Sequence, residues 1–99
     1  MVLDFEKVEE FLAKKYNLSI IRCLLDGRGR GFNSILKDAG PMTPRILSAR
    51  LSELEKEKFV QKNLVLGNKP KIEYRITPKG EKLKKAISEL EKWGKEALG

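Results

Sequence analysis

A threonine–proline pair occurs twice in this chain, at Thr43-Pro44 and at Thr77-Pro78, and each pair predicts the start of a helix. The threonine hydroxyl can accept a hydrogen bond from a free amide of the first helical turn, and proline loses no hydrogen bond at the first helical position. The residue before a proline avoids helical angles, so neither helix extends back past its pair. The two pairs therefore fix where two helices begin.

The helix that starts at Pro44 is predicted to end near Glu57 and to have two unlike faces. Leu47, Leu51 and Leu54 recur at helical spacing and predict a buried side. The opposite side is small, polar and basic, and consists of Arg45, Ser48, Ala49, Ser52 and Lys56. A helix that faces only solvent usually carries bulky glutamate and lysine there, whereas small side chains let a backbone approach a partner. The acidic residues Glu53, Glu55 and Glu57 are interpreted as a solvated helix face, since no histidine or metal set accompanies them.

Three more helices are predicted before Thr43. The first covers residues 3–14 and is amphipathic. The second covers residues 16–25, is apolar on nearly every side, and takes Asn17 as its N-cap. The third is short, covers residues 32–39, and follows a flexible basic connector. The second helix is expected to be the most buried of the three.

The chain after the Pro44 helix changes from a helical to an alternating pattern. Residues 59–66 and 71–77 are strand candidates, separated by turn residues at 67–70. This pattern predicts an antiparallel hairpin with Lys69 and Lys71 at its tip.

The segment that begins at Pro78 is predicted to be one long C-terminal helix over residues 78–99. Its apolar side chains recur at roughly heptad spacing, and on a monomer they would form an unusually large exposed patch. With the apolar side of the first helix they predict a homodimer interface, composed of Phe5, Val8, Leu12, Leu83, Ile87, Leu90, Trp93 and Ala97.

Composition excludes several classes of function. The chain has no histidine and one cysteine, which removes the commonest general base, the commonest metal ligand, a structural zinc site and an internal disulfide. We therefore expect no enzyme activity, no metal and no cofactor. The single thiol, Cys23, lies in an apolar run and is expected to be buried and inert. The start of the chain lacks a signal-peptide pattern, and no apolar run is long enough to span a membrane, so a cytoplasmic location with no membrane partner is expected.

The excess positive charge is concentrated in the middle of the chain. Residues 1–27 hold four basic and five acidic side chains, residues 28–75 hold eleven and five, and residues 76–99 hold six and four. The middle segment therefore carries a net charge of +6 out of a total of +7. This distribution favours either a surface for a polyanion or a solvated lysine-rich surface, and charge alone does not decide between them.

The order of elements does favour one architecture. A mainly α-helical chain with a small β-hairpin, in this order, is typical of a winged helix-turn-helix with long N- and C-terminal dimerisation helices. We predict a single domain over residues 1–99, divided into an N-terminal helix (1–14), a winged-helix core (15–77) and a C-terminal dimerisation helix (78–99). In this fold the helix after the turn enters the major groove of DNA, which is roughly 12 Å wide.

Each candidate DNA contact follows from side-chain chemistry. Arg45 can donate two hydrogen bonds to guanine, serine hydroxyls can contact a base or a phosphate, and Ala49 can contact a thymine methyl. The free amides after Thr43 and the basic side chains of the connector and the hairpin suit phosphate. Arg50 lies between the buried and outer faces, where it either braces the fold or contacts the DNA backbone. The full set of candidates is Arg28, Arg30, Thr43, Arg45, Ser48, Ala49, Arg50, Ser52, Lys56, Lys69 and Lys71.

Residues 15–94 resemble the HxlR-type winged-helix transcriptional regulators. The matching segments include Leu24-Leu25-Asp26-Gly27, Thr43-Pro44-Arg45-Ile46-Leu47-Ser48 and Ile72-Glu73-Tyr74-Arg75-Ile76-Thr77-Pro78-Lys79-Gly80. The resemblance implies a DNA-binding dimer whose terminal helices form the subunit interface. Three departures stand out: Lys58 where the family usually has glycine, Tyr16 in place of tryptophan, and no cysteine in residues 1–14, where some members carry a sensing thiol.

A second function fits the same fold. A winged helix can serve as a protein–protein assembly module without specific DNA binding, with the C-terminal stripe as its working surface. The sequence identifies neither an operator nor a small-molecule effector, nor does it distinguish repression from activation.

Overall fold

The computed structural model describes residues 2–99, and the side chains from residue 4 onward. Its architecture is the predicted one, mainly helical with a two-stranded antiparallel hairpin in a winged helix-turn-helix. No helix in the described part of the chain is both long and apolar enough to cross a membrane. The elements in chain order are α1 (Val2–Ala13), α2 (Asn17–Leu24), α3 (Phe32–Asp38), α4 (Pro44–Lys56), β1 (Val60–Val65), β2 (Lys71–Ile76), α5 (Pro78–Glu81) and α6 (Lys84–Ala97).

The core lies where α2, α3, α4, the base of the hairpin and α6 meet. The three leucines of α4 are buried, as their spacing predicts, and α2 supplies Ile20, Ile21 and Leu24 with no exposed surface. Burying such side chains contributes roughly 1.5–3 kcal/mol each relative to exposure. The buried apolar set is Ile20, Ile21, Leu24, Ile35, Ala39, Leu47, Leu51, Leu54, Val60, Ile76 and Ile87.

Both threonine–proline pairs cap helices as predicted. The Ile46 N–H donates to Thr43 Oγ1 at 3.2 Å, and the Gly80 N–H donates to Thr77 Oγ1 at 3.2 Å. The Thr77 hydroxyl also donates to the carbonyl oxygen of Lys58 at 2.6 Å. The second cap therefore also joins the start of α5 to the end of α4.

The hairpin is antiparallel, with Val60 opposite Ile76 at its base and Val65 opposite Lys71 at its tip. Arg30 forms an isolated β-bridge with β2, in which the Arg30 N–H donates to Tyr74 O at 3.0 Å and the Tyr74 N–H donates to Arg30 O at 2.8 Å. The connector before α3 is therefore attached to the middle of β2.

The predicted N-cap of α2 is wrong. Tyr16 holds the cap position with a left-handed backbone (φ 78°), and Asn17 is the first helical residue, only 2% exposed. Asn17 Nδ2 donates to the carbonyl oxygen of Phe11 at 3.2 Å. Its amide thus covers a carbonyl at the end of α1 because the chain turns sharply there, a contact that a local capping pattern does not reveal.

The predicted single C-terminal helix is also wrong, because it breaks after Glu81. Gly80 is buried against the hairpin, where a β-carbon would lie 2.6 Å from the carbonyl oxygen of Phe59. A tight turn follows, in which the Leu83 N–H donates to Gly80 O at 3.0 Å, and α6 begins at Lys84.

Two of the predicted interface residues pack inside the domain rather than facing a partner. Ile87 is 5% exposed and belongs to the core, and Leu83 packs against that core. These two side chains therefore hold α6 onto its own domain, whereas the other six predicted interface residues are exposed.

Lys58, where the family that the sequence resembles usually has glycine, lies two residues after the end of α4. Lys58 adopts a left-handed backbone (φ 69°), and the Phe59 N–H closes the helix by donating to Leu54 O at 2.9 Å. A residue with a β-carbon is disfavoured in this conformation by roughly 1–2 kcal/mol. The position therefore needs the left-handed geometry, and lysine adopts it under strain.

We expect Lys58→Gly to raise the free energy of unfolding by about 1 kcal/mol, because glycine adopts this conformation without steric cost. Lys58→Ala is the matched control, since it removes the same side chain but keeps the β-carbon. Urea denaturation of the three proteins measures the difference. Equal stability of the glycine and alanine variants would contradict a strained backbone at this position.

Candidate nucleic-acid interface

The outer face of α4 is exposed along its whole length. Arg45, Ser48, Ala49, Ser52 and Lys56 all lie in solvent, and we call these five residues the reading face. They lie opposite the buried leucines because the helical period separates the two sets. Among the ion pairs of residues 2–99, none uses Arg45 or Lys56. Both charges are therefore available to a ligand.

The start of α4 offers fewer free amides than the sequence suggests. Pro44 has no N–H, the Ile46 N–H donates to the Thr43 hydroxyl, and the Leu47 N–H donates to Thr43 O at 3.0 Å. Within the first turn, the amide that remains is that of Arg45. At the start of the reading face, the available backbone N–H and the available guanidinium therefore both belong to Arg45.

The hairpin places its basic tip in solvent. Lys69 and Lys71 are both exposed, and Lys71 closes the hairpin opposite Val65. Leu66, at the same tip, is 77% exposed. The cations of the tip are therefore free to contact a polyanion, as the sequence predicts.

The two arginines of the connector differ in their surroundings. Arg30 Nη1 donates to Asp38 Oδ2 at 2.6 Å and to Ser34 Oγ at 3.1 Å, with Asp26 Oδ2 at 3.9 Å from Nη2. The hydrogen bond to Asp38 raises the pKa of Arg30. Arg28 is exposed, and its backbone N–H donates to Asp26 Oδ1 at 2.9 Å, while its side chain takes part in none of the ion pairs of the described residues. Of the two, the geometry leaves Arg28 as the cation free to meet a phosphate.

Arg50 is the candidate whose role the sequence leaves open. Its Nε donates to the carbonyl oxygen of Lys15 at 3.3 Å, and its Nη1 donates to Glu53 Oε1 at 3.0 Å. The side chain is half-buried between α4 and the end of α1. These contacts favour the bracing role.

The main contact that sequence reasoning missed is made by Glu53. The sequence places it on a solvated acidic face, but Lys14 Nζ donates to its Oε2 at 2.7 Å. This hydrogen bond lowers the pKa of the Glu53 carboxyl and raises the pKa of Lys14, so both side chains are charged around neutral pH. The partner is 39 residues away, beyond the reach of helical spacing.

The terminal helices carry large apolar side chains that are exposed to solvent. Phe5 is 64% exposed, Leu12 47%, Leu90 46% and Trp93 56%. Exposed apolar side chains that form one patch usually mark a contact surface, and α1 and α6 carry the candidates for such a patch.

Cys23 is only half-buried, beside a cavity of about 500 Å³ that Arg22, Asp26 and Asp38 also line. Burial raises the pKa of its thiol, which disfavours the reactive thiolate. Residues 2–99 contain no group of three side chains suited to hold a metal ion.

Comparisons with known proteins agree with this architecture. The family described as HxlR-like helix-turn-helix matches residues 11–99. The HTH-type transcriptional regulator YvaP of Bacillus subtilis (strain 168) is 36% identical over 92 residues, which is 93% of this chain and 84% of YvaP.

Solved structures show the same likeness. The reduced form of the transcriptional regulator YodB from Bacillus subtilis superimposes with a TM-score of 0.84 at 28% identity, covering 98% of this chain and 94% of YodB. A MarR-family putative transcriptional regulator from Porphyromonas gingivalis W83 gives a TM-score of 0.81 at 28% identity, covering 94% and 90% of the two chains.

We expect Arg30→Met to lower the free energy of unfolding by about 1 kcal/mol, because Asp26 and Asp38 would lose the cation between them. Arg28→Met is the control, since it removes the same charge two residues away, and it should change stability by less than about 0.5 kcal/mol. Urea denaturation at low salt measures both. Equal effects would show that the carboxylates do not stabilise the fold through Arg30.

Proposed function

The chain belongs to the HxlR-like helix-turn-helix family and is a winged helix-turn-helix transcriptional regulator, and we propose that it binds specific sequences in double-stranded DNA as a homodimer. The observation that carries the proposal is the reading face of α4, which is exposed, small and cationic. We also propose that it acts in the cytoplasm and binds DNA without a cofactor.

We assign the recognition of DNA bases to the reading face of α4. An α-helix fits the major groove, and residues near its N-terminus approach the base edges. Arg45, at the second position of α4, offers two parallel donors to a guanine, and Ser48 follows one turn later. Ala49 and Ser52 are small enough to bring the helix backbone close, and Lys56 lies at the far end of the face. Arg45 is therefore the main specificity contact in this proposal.

Affinity comes from cations that contact phosphates. Lys69 and Lys71 extend from the hairpin tip toward the backbone or minor groove, and Arg28 and the start of α4 at Thr43 add contacts nearby. Such contacts carry little sequence information but release counterions, so binding weakens steeply with salt. Arg30 and Arg50 have carboxylate partners in the fold, and we assign them to structure.

The exposed apolar side chains of α1 and α6 support a homodimer. Phe5, Val8 and Leu12 on α1 and Leu90, Trp93 and Ala97 on α6 form the proposed contact surface. A twofold axis between two copies would present two reading faces to half-sites about one helical turn apart, which implies a palindromic operator.

We expect Arg45→Ala to relax sequence preference and Lys69→Ala to weaken binding to all duplexes about equally. A lost guanine contact costs roughly 1–3 kcal/mol at one base pair, whereas a lost phosphate contact reduces the salt slope by about 1. Selection from random duplexes with the purified protein supplies the operator, and titrations at several salt concentrations supply the slopes.

Two results would count against this assignment. Uniform loss of affinity in both variants would remove the base-reading role of Arg45. Failure of the wild-type protein to bind any duplex at low salt would overturn DNA binding and favour the use of α6 in protein assembly.

We expect Trp93→Asp to convert a dimer into a monomer without unfolding it. Trp93 is 56% exposed, so a charged side chain there disturbs the proposed interface and leaves the core intact. Sedimentation at micromolar concentration measures the change, and Lys92→Asp is the control for a charge change at the neighbouring position. A monomeric wild-type protein would refute the homodimer.

A further inference from the structure

We propose that Glu53 is a positioning residue that ties the recognition helix α4 to the end of α1, so that the orientation of each reading face follows the helix that pairs the two subunits. This inference rests on the proposed function and adds a structural basis for the fixed spacing between the two half-sites.

The carboxylate of Glu53 contacts two cations from different parts of the chain. Its Oε2 accepts a hydrogen bond from Lys14 Nζ at 2.7 Å, and its Oε1 accepts one from Arg50 Nη1 at 3.0 Å. Lys14 directly follows α1, and Arg50 lies on α4 itself. Both oxygens are therefore used, and one side chain joins two helices.

Further contacts attach the same short segment to the helix-turn-helix. Between α1 and α2 lie three residues, Lys14, Lys15 and Tyr16, which we call the junction. The carbonyl oxygen of Lys15 accepts a hydrogen bond from Arg50 Nε at 3.3 Å. The Tyr16 hydroxyl donates to the carbonyl oxygen of Pro41 at 2.8 Å, just before α4 begins. The junction thus holds α4 both at its start and at its middle.

The ion pairs contribute little to folding by themselves. The Lys14 and Glu53 side chains are 45% and 36% exposed, and exposed pairs of this kind have small net effects on stability. Their effect on geometry is different in kind, because the buried leucines fix which side of α4 faces the core, whereas the contacts of Glu53 connect α4 to the end of α1. A variant without the carboxylate is therefore expected to fold normally.

If only charge mattered, removing the Glu53 carboxylate would increase the affinity for DNA, whereas the positioning role predicts a decrease. Glu53 lies on the helix that faces DNA, so removing its negative charge should strengthen attraction to any phosphate backbone. A loss of affinity that is confined to DNA with two half-sites would therefore point to orientation. Glu55 provides the matched comparison, because it lies on the same helix, is exposed, and takes part in none of the ion pairs of the described chain.

The test compares E53Q with E55Q on the duplex selected by the wild-type protein, on a duplex with one half-site, and on duplexes whose spacer is one base pair longer or shorter. We expect E53Q to lose about 5- to 10-fold in affinity for the selected duplex and nothing on one half-site. We also expect it to discriminate less between spacer lengths than the wild-type protein. E55Q should retain the spacer discrimination of the wild-type protein.

A second variant keeps the test independent of any folding defect. K14M breaks the same link from the other side, so its effect on the selected duplex should match that of E53Q and the double variant should lose no more than either one. Urea denaturation should give all variants similar stability.

Two outcomes would overturn the proposal while DNA binding stands: E53Q behaving like E55Q, or E53Q losing affinity equally on one and two half-sites. A wild-type protein that selects no duplex would instead refute the proposed function and the positioning role with it.

Discussion

The structure depends on the burial of one face of α4. Leu47, Leu51 and Leu54 belong to one buried cluster with side chains of α2 and the base of the hairpin, and this burial sets which side of α4 faces outward. Because the helical period is fixed, placing the leucines inside leaves the reading face no position but the surface. The connector, the hairpin and the terminal helices are then arranged around a helix whose rotation the core has already determined.

Features with a local physical cause could be predicted from the sequence. The hydroxyls of Thr43 and Thr77 cap helices within three residues of themselves, and the leucine spacing of α4 needs only the period of a helix. The antiparallel hairpin follows from two alternating segments separated by turn residues. The exposure of the reading face was predictable for the same reason, since these residues lie on the side of α4 opposite the buried leucines.

Features that depend on distant partners could not be predicted in this way. Nothing near Glu53 indicates that Lys14 will meet it, and the pairing of Arg30 with Asp38 depends on how the connector returns over α3. The break before α6 follows a segment in which Gly80 is packed closely against Ile76 and Phe59, a contact between separate elements. The arginines in the middle of the sequence are accordingly divided, since Arg30 and Arg50 pair with carboxylates whereas Arg28 and Arg45 are exposed.

Ile87 is the last residue of α6 that is buried in the core. From residue 88 to the end of the helix, substitution is therefore largely free of the demands of folding, and the Arg22–Glu91 ion pair is an exposed contact of small energetic weight. In the proposed homodimer, this outer half can therefore change which copies associate, while the proposed base-reading residues, which lie on α4, remain as they are. Duplicated genes can in this way diverge into regulators that no longer form mixed assemblies.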